Sequence, residues 1–229
     1  MPDHPTPSSC SAILVAAGSS RRMGFDKLAC PLGGVPVLRR TVEAFLAAES
    51  IAEVVLVCPE ERWELLAGID STKPLRRVDG GRERQDSVAA GLAAVAASSS
   101  LVAVHDGARP LVSPADIDRC VAAARVHQAA SLARRATETM KRSDAQDLCT
   151  EAVSRENLWC METPQVFSKE MLIRACDHVA AQGLVVTDEV SAVSGIGVAV
   201  KFVESLSPNL KITTPADIEL AEALLKTRS

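Results

Sequence analysis

Three short runs with almost no polar residue, Ser11–Ala16 (SAILVA), Glu53–Cys58 (EVVLVC) and Leu101–His105 (LVAVH), limit how this chain can fold. A strand that is apolar at consecutive positions has no face to give to water, so both of its faces must be covered. Helical patterns separate the runs. Val35–Glu49 carries Pro36, which suits a first turn. Pro59–Gly68 reads as a short helix. The short strand Arg76–Asp79 and a Gly-Gly turn lead into the Ala-rich helix Arg84–Ala97. Ser113–Gln128 opens with S-P-A-D and Thr214–Lys226 with T-P-A-D. Each opening supplies a capping hydroxyl, a first-turn proline and an acid at the third position. Buried strands alternating with helices predict an α/β fold with a mostly parallel sheet covered on both faces. Arg134 to Met161 breaks the rhythm: it is polar, lacks a helical period and holds two short β-like pieces. From periodicity alone, a protruding arm or hairpin and a plain surface insertion fit it equally well.

The chain has 229 residues, of which 47% are hydrophobic, enough to bury a core in one domain. The expected layout is a disordered tail over residues 1–10 and a single domain over 11–229, with the arm at about 134–161. Thr227-Arg228-Ser229 ends the chain just past the last expected helix, so no second domain is expected to follow. A net charge of −4 disfavours a polynucleotide partner, and 3% aromatic residues with no Tyr disfavour a base-stacking platform. Cys10, Cys30, Cys58, Cys120, Cys149, Cys160 and Cys176 are scattered without a C-x-x-C pair, which argues against a zinc site or a disulfide framework. Reduced thiols and a cytoplasmic location are expected. Met1–Ser9 is polar and Pro-rich, unlike a signal peptide. Runs such as Val54–Cys58 are too short to span a bilayer.

The residues that point to chemistry follow the strands. Ala16-Ala17-Gly18-Ser19-Ser20-Arg21-Arg22-Met23-Gly24-Phe25-Asp26-Lys27 lies directly after the first run, where open α/β sheets bind ligands. Small residues at 16 to 20 let backbone N–H groups approach phosphate oxygens, and Arg22 and Lys27 add two cations. The spacing is neither that of a P-loop nor that of a dinucleotide fingerprint. Asp79-Gly80-Gly81-Arg82-Glu83-Arg84-Gln85-Asp86-Ser87 follows another strand, and its glycines permit close approach of a base. His105-Asp106-Gly107-Ala108-Arg109-Pro110 ends the third run. Asp106 there can hold Mg2+ bridging phosphate oxygens, and Arg109 can bind a further phosphate. His105 reads as a packed strand residue rather than a base. In the irregular stretch, Glu138-Thr139-Met140-Lys141-Arg142, Ser154-Arg155 and Thr163-Pro164-Gln165 repeat hydroxyls and cations suited to phosphate. Asn209-Leu210-Lys211-Ile212-Thr213-Thr214-Pro215 places Lys211 in a short expected strand, where an inward lysine needs an anion.

Taken in order from Ser11 to Leu225, these segments resemble the 2-C-methyl-D-erythritol 4-phosphate cytidylyltransferase family of the non-mevalonate isoprenoid pathway. The A-A-G-x-x-x-R-M-G loop is shared with many nucleotidyltransferases. V-D-G-G-R-E-R-x-D-S-V, H-D-G-A-R-P, T-M-K and N-L-K-I-T-T-P-x-D are more specific. The resemblance implies a Rossmann-like three-layer sandwich with a protruding β-arm for dimerisation. It implies CTP, a sugar-alcohol phosphate and Mg2+ as the ligands, and a homodimer formed through the arm. Ala16, Ala17, Gly18, Gly81, Arg84, Ser87, Asp106 and Gly107 fall at the nucleotide site. Arg22 and Lys27 match the transition-state stabilisers, and Asp106 the metal-binding carboxylate. Arg109, Thr139, Arg155 and Lys211, with Asp106, fall at the acceptor site, where Arg155 and Lys211 position the nucleophile. In the family Thr139 and Arg155 would come from the partner's arm.

The chain departs from the family at three places. Asp26-Lys27-Leu28 stands where Pro-Lys-Gln is usual, as in related molybdenum-cofactor and sugar nucleotidyltransferases. Glu138-Thr139 stands for an Asp-Thr pair, and Arg134-Arg135 for an apolar approach containing proline. A nucleotidyltransferase acting on ribitol phosphate, another sugar phosphate or a molybdopterin is therefore the alternative, and a non-catalytic nucleotide-binding protein a more distant one.

Overall fold

The computed structural model describes residues 9–18 and 24–227. The chain forms β1 (Cys10–Val15), a small antiparallel pair β2 (Pro31–Leu32) and β3 (Val35–Pro36), α1 (Val37–Ala47), β4 (Ile51–Val57) and the one-turn helix α2 (Glu60–Trp63). It continues through β5 (Leu75–Val78), α3 (Arg84–Ala94), β6 (Leu101–Asp106), α4 (Pro114–His127), β7 (Ala129–Arg135), β8 (Met140–Ser143) and β9 (Cys149–Val153). Last come β10 (Trp159–Ser168), α5 (Lys169–Ala181), α6 (Glu189–Gly195), β11 (Lys201–Glu204) and α7 (Pro215–Lys226).

Seven strands form one sheet in the order β11-β7-β10-β6-β1-β4-β5. β1, β4, β5 and β6 pair in parallel, as do β7 and β11; β10 alone runs antiparallel to both of its neighbours, β6 and β7. The apolar runs follow from burial of both faces. In β1, Ala12 and Leu14 join one core with Phe45 of α1, Ile117 of α4 and Ala221 of α7. Ile13 points the other way, into a core with Val88 of α3, Leu172 of α5 and Val193 of α6. The three-layer α/β sandwich expected from the sequence is the fold observed.

Several boundaries move. Cys10 lies in β1 and is fully buried, although the tail was expected to reach it; the rest of that tail, residues 1–8, lies outside the described residues. Val35 and Pro36 form β3 rather than the start of α1, and α3 ends at Ala94, before Ala97. Pro59–Gly68 is one α turn followed by a 3-10 turn. Ser113 caps α4, its hydroxyl accepting from the Asp116 amide at 3.1 Å, and Gln128 ends that helix in the left-handed conformation at φ 64°. Lys211 is not on a strand: residues 209–213 form an extended link, tied to the body where the Ile212 amide donates to Ala108 O at 2.8 Å. The polar stretch holds the antiparallel hairpin β8–β9, with its side chains largely exposed. No cysteine is in a disulfide. No helix among the described residues is long and apolar enough to cross a membrane.

Candidate active site

The strand order reverses between β1 and β6, and the loops leaving their carboxyl ends open a crevice there. Asp106, the last residue of β6, forms its centre. Its Oδ2 meets Lys211 Nζ at 2.9 Å and Arg109 Nε at 3.3 Å, and its Oδ1 meets an Arg84 Nη at 3.4 Å. Burial by itself would push this carboxyl up, but Lys211, Arg84 and Arg109 outweigh it and hold Asp106 far below the usual carboxylate range. The group is thus ionised throughout the working pH range. A cleft of ≈ 300 Å³ opens beside Asp106, lined also by Arg84, Arg109, Thr187, Asp188 and Lys211. A larger one of ≈ 660 Å³ adjoins it, sharing Arg109 and Lys211 and extending to Arg134 and Thr213. Arg84, Arg109 and Lys211 share the walls with Asp106, Glu162 and Asp188, and the three cations converge on Asp106 itself.

His105 steadies this centre from behind. The Asp106 amide donates to Thr163 Oγ1 at 3.1 Å, Thr163 Oγ1 lies 3.0 Å from His105 Nδ1, and His105 Nε2 lies 3.3 Å from Arg109 O. One set of hydrogens satisfies the chain: the Thr163 hydroxyl donates to Nδ1, and Nε2–H donates to Arg109 O. The imidazole is therefore neutral, and burial lowers its pKa from 6.5 to about 3. It packs on Phe45 with ring centroids 4.7 Å apart, a structural residue as the sequence reading holds. The sign of the linkage follows. The unfolded chain takes up a proton near pH 6.5 that the folded chain refuses, so stability is full above that pH and falls as pH drops. At pH 5 the loss from His105 is expected to be about 2 kcal/mol. Urea denaturation at pH 7.5 and pH 5 measures it. His105→Asn should lose about 2 kcal/mol less over that interval, and an equal loss would place the titration elsewhere.

The second loop packs against the first. A Cβ on Gly80 would collide with the Ala17 side chain, so only glycine lets the Asp79–Arg82 turn lie on the residues after β1. Ser87 is buried, its hydroxyl accepting from the Gly81 amide at 3.1 Å and donating to Glu83 O at 3.2 Å. Arg84 leaves the first turn of α3 to span Asp106 and Glu189, the first residue of α6. Burial works against the charge on Arg84, but the carboxylates of Glu189 and Asp106 hold it more firmly protonated than usual. Glu189 is itself pushed up by burial, against the pull of Arg84.

Lys27 points inward, donating to Ile212 O at 2.6 Å and so bridging the first loop to the link that carries Lys211. That link is held by Asn209, whose Nδ2 donates to Thr163 O at 2.7 Å and Glu162 Oε2 at 3.2 Å, while Arg109 Nη1 donates to Asn209 O at 2.8 Å. Ala16, Ala17, Gly18, Lys27, Gly81, Arg84, Ser87, Asp106, Gly107, Arg109 and Lys211 are thus brought to one end of the sheet. Arg22 lies outside the described residues. Thr139 and Arg155 are not at this crevice: both stand at the hairpin's base, Arg155 Nη1 donating to Thr137 O at 2.6 Å, and neither lines the cleft beside Asp106.

Comparison with known proteins agrees with the geometry. The profile of the 2-C-methyl-D-erythritol 4-phosphate cytidylyltransferase family matches residues 10–227. The chain belongs to this family. A family member from Parasynechococcus marenigrum is 40% identical over 220 residues, covering 94% of this chain and 97% of that protein. One from Caldanaerobacter subterraneus is 37% identical over 94% of this chain and 98% of its own length. The solved 4-diphosphocytidyl-2C-methyl-D-erythritol synthase from Anaerococcus prevotii superposes with a TM-score of 0.85 at 30% identity, covering 96% of this chain and 97% of that one. The cytidylyltransferase of Thermus thermophilus gives a TM-score of 0.78 at 32% identity, covering 95% of this chain and 99% of that one. Within this family the sequence reading missed Arg62 and Glu189. Arg62 lies in the charged segment Pro59-Glu60-Glu61-Arg62, which reads as a solvated helix. Its one visible signal is position, just past the carboxyl end of a buried strand.

Proposed function

We propose that the chain is a cytidylyltransferase that joins the CMP part of CTP to 2-C-methyl-D-erythritol 4-phosphate, releasing pyrophosphate, in non-mevalonate isoprenoid synthesis. The observation that carries this reading is the cluster of Lys211, Arg84 and Arg109 on Asp106 at the mouth of the crevice, beside the first loop and Lys27. The acceptor's phosphate has a second pKa near ~6 and is largely a dianion at neutral pH. It therefore needs no general base, in keeping with a neutral, buried His105. An acceptor oxygen attacks the α-phosphorus of CTP in line, the P–O bond to the β-phosphate breaks, and pyrophosphate leaves. The protein's task is to position two polyanions and offset their charge. Lys27 faces the leaving group, and Lys211 and Arg109 hold the acceptor phosphate.

Mg2+ is part of this proposal. It ordinarily takes one or two carboxylates together with substrate phosphates. Asp106 fits that donor set: it is ionised, and its Oδ1 has a long 3.4 Å contact to Arg84. Among the described residues no cluster of three or more acidic, His or Cys side chains offers a cage, so most ligands would come from the triphosphate. Bound there, the ion would offset phosphate charge. The hairpin's exposed Met140 and Leu148 suit it to cover a second subunit, which would bring Thr139 and Arg155 to its partner's crevice in a cytoplasmic homodimer.

Pyrophosphate release from CTP with 2-C-methyl-D-erythritol 4-phosphate, set beside ribitol 5-phosphate, tests the assignment. Turnover confined to the first acceptor supports it. Preference for ribitol phosphate would move the protein to the neighbouring activity, and no release with either would leave a binding protein. Lys211→Ala should raise KM for the acceptor by roughly tenfold or more, since a charged hydrogen bond is worth about 1.5–3 kcal/mol. An unchanged KM would remove Lys211 from the acceptor site.

A further inference from the structure

The first loop is held by a residue from another element. Arg62, on α2 just past the end of β4, turns its guanidinium inward and is only 7% exposed. Its Nε donates to Asp26 Oδ2 at 2.8 Å and its Nη2 to Asp26 Oδ1 at 3.1 Å, a two-pronged contact with one carboxylate. Its Nη1 donates to the carbonyl of Ala16 and, at 3.1 Å, to that of Gly18. One planar cation thus joins the residues that enter the loop to the residue just before Lys27. Asp26 Oδ1 also accepts from the Leu28 amide at 3.1 Å, which fixes the chain on both sides of Lys27.

Two physical consequences follow. In a trans peptide a carbonyl and the next residue's N–H lie in one rigid plane and point in opposite directions. With Ala16 O turned to Arg62, the Ala17 N–H points away from Arg62, an orientation suited to donating to a phosphate. The fork geometry also resists sliding, because a guanidinium meets a carboxylate bidentately in one plane, which an ammonium cannot do.

We propose that Arg62 and Asp26 form a strap that sets the two described ends of the first loop, Ala16–Gly18 and Asp26–Lys27, for the triphosphate of the nucleotide, making both positioning residues. The proposal rests on that loop binding CTP. The strap acts first on nucleotide binding and on the placement of Lys27, and reaches the acceptor side only through the Lys27 contact to Ile212 O. Arg62→Lys keeps the charge and removes the fork. It should raise KM for CTP and lower kcat by about tenfold each, because small misplacements of a reacting group are costly, with a smaller rise in KM for the acceptor. Asp26→Asn, at a partly exposed position, should move the same constants in the same direction by less. If the two residues act as one unit, Arg62→Lys combined with Asp26→Asn should be little worse than Arg62→Lys alone.

The experiment is full steady-state kinetics on the intact protein in both substrates, with a thermal melt of each variant. A merely structural ion pair would lower Tm and leave both constants of the folded enzyme unchanged, and that outcome overturns the strap. Fully additive kinetic effects overturn it too. Should Arg62→Lys not fold, Asp26→Asn decides by the same reading, an unchanged KM for CTP being fatal. Failure of the functional assignment looks different: the unaltered protein would then release no pyrophosphate from CTP.

Discussion

Replacing Lys27 with alanine is expected to lower kcat by roughly 10²-fold or more, the size of effect seen when a preorganised charge is withdrawn from a transition state. Such a loss corresponds to about 2.7 kcal/mol of barrier. The Lys27 ammonium lies 2.6 Å from Ile212 O, between the first loop and the link that holds Lys211 on Asp106. In the proposed mechanism it offsets the negative charge that grows on pyrophosphate as the bond to the α-phosphorus breaks. A competing explanation is the loss of the hydrogen bond to Ile212 O, which would loosen the link. A hydrogen bond from a charged donor contributes about 1.5–3 kcal/mol, so stability alone could absorb a comparable amount. The two effects separate by readout. Loss of the tie lowers Tm and raises KM for the acceptor, because Lys211 is next in the chain. Loss of the leaving-group charge lowers kcat at saturating concentrations of both substrates. A near-normal kcat in Lys27→Ala would remove the catalytic role.

Legibility of the fold followed the physics of burial. β1, β4 and β6 were plain in the sequence because helices cover both of their faces, so no polar residue interrupts the middle of each run. β10 was invisible for the opposite reason. Its sequence, WCMETPQVFS, buries Glu162, Thr163 and Gln165, and these polar groups are satisfied by partners distant in the chain. Gln165 Nε2 donates to Asp188 Oδ2 at 2.9 Å, and Ser205 Oγ donates to Glu162 Oε2 at 2.6 Å. No local pattern announces such pairings. β7 was hidden as well, although the helix before it was read to its cap at Gln128: its sequence, AASLARR, holds no β-branched or aromatic residue.

The site divides in the same way. Residues proposed to face a ligand sit in recognisable motifs after strands, and the structure gathers those among the described residues at one end of the sheet, apart from Thr139 and Arg155. Residues that hold those motifs in place did not stand out. Arg62 and Glu189 act across the fold, on Asp26 and on Arg84, and each is embedded in a segment whose composition is that of an ordinary helix start. The link 209–213 shows the limit from the other side. Lys211 was rightly singled out as an inward cation needing an anion, and Asp106 is that anion, yet the segment is extended without pairing into the sheet.

Asp106→Asn is expected to cost both stability and activity, and to turn the crevice into a stronger anion site. In the native protein Lys211, Arg84 and Arg109 lie within 3.4 Å of one carboxylate whose side chain is only 12% exposed. Asparagine keeps the shape and removes the charge, leaving Lys211 and Arg109 without their carboxylate beside Arg84, which keeps Glu189. Breaking a buried ion pair costs about 3–5 kcal/mol. The lower end applies here, because Lys211 and Arg84 keep 42% and 27% side-chain exposure and water screens part of their repulsion. About 3 kcal/mol in a chain of this length is on the order of 10 °C in Tm. The pH dependence has a fixed sign. The folded carboxyl is held below its ordinary value of 3.8, so its contribution is complete above that pH and is lost as pH falls through the folded value. The gap in Tm between native protein and variant should therefore be full at pH 7 and narrow only in strong acid. Inorganic pyrophosphate should close part of it at pH 7, since an added anion replaces the missing carboxylate, and should raise the Tm of the variant more than that of the native protein. Activity, measured without added pyrophosphate at a temperature where the variant is folded, should fall by roughly 10²-fold or more, because the carboxylate proposed to hold Mg2+ is gone. Equal stabilisation of both proteins by pyrophosphate would mean that Lys211, Arg84 and Arg109 do not form a common anion site once the Asp106 charge is removed.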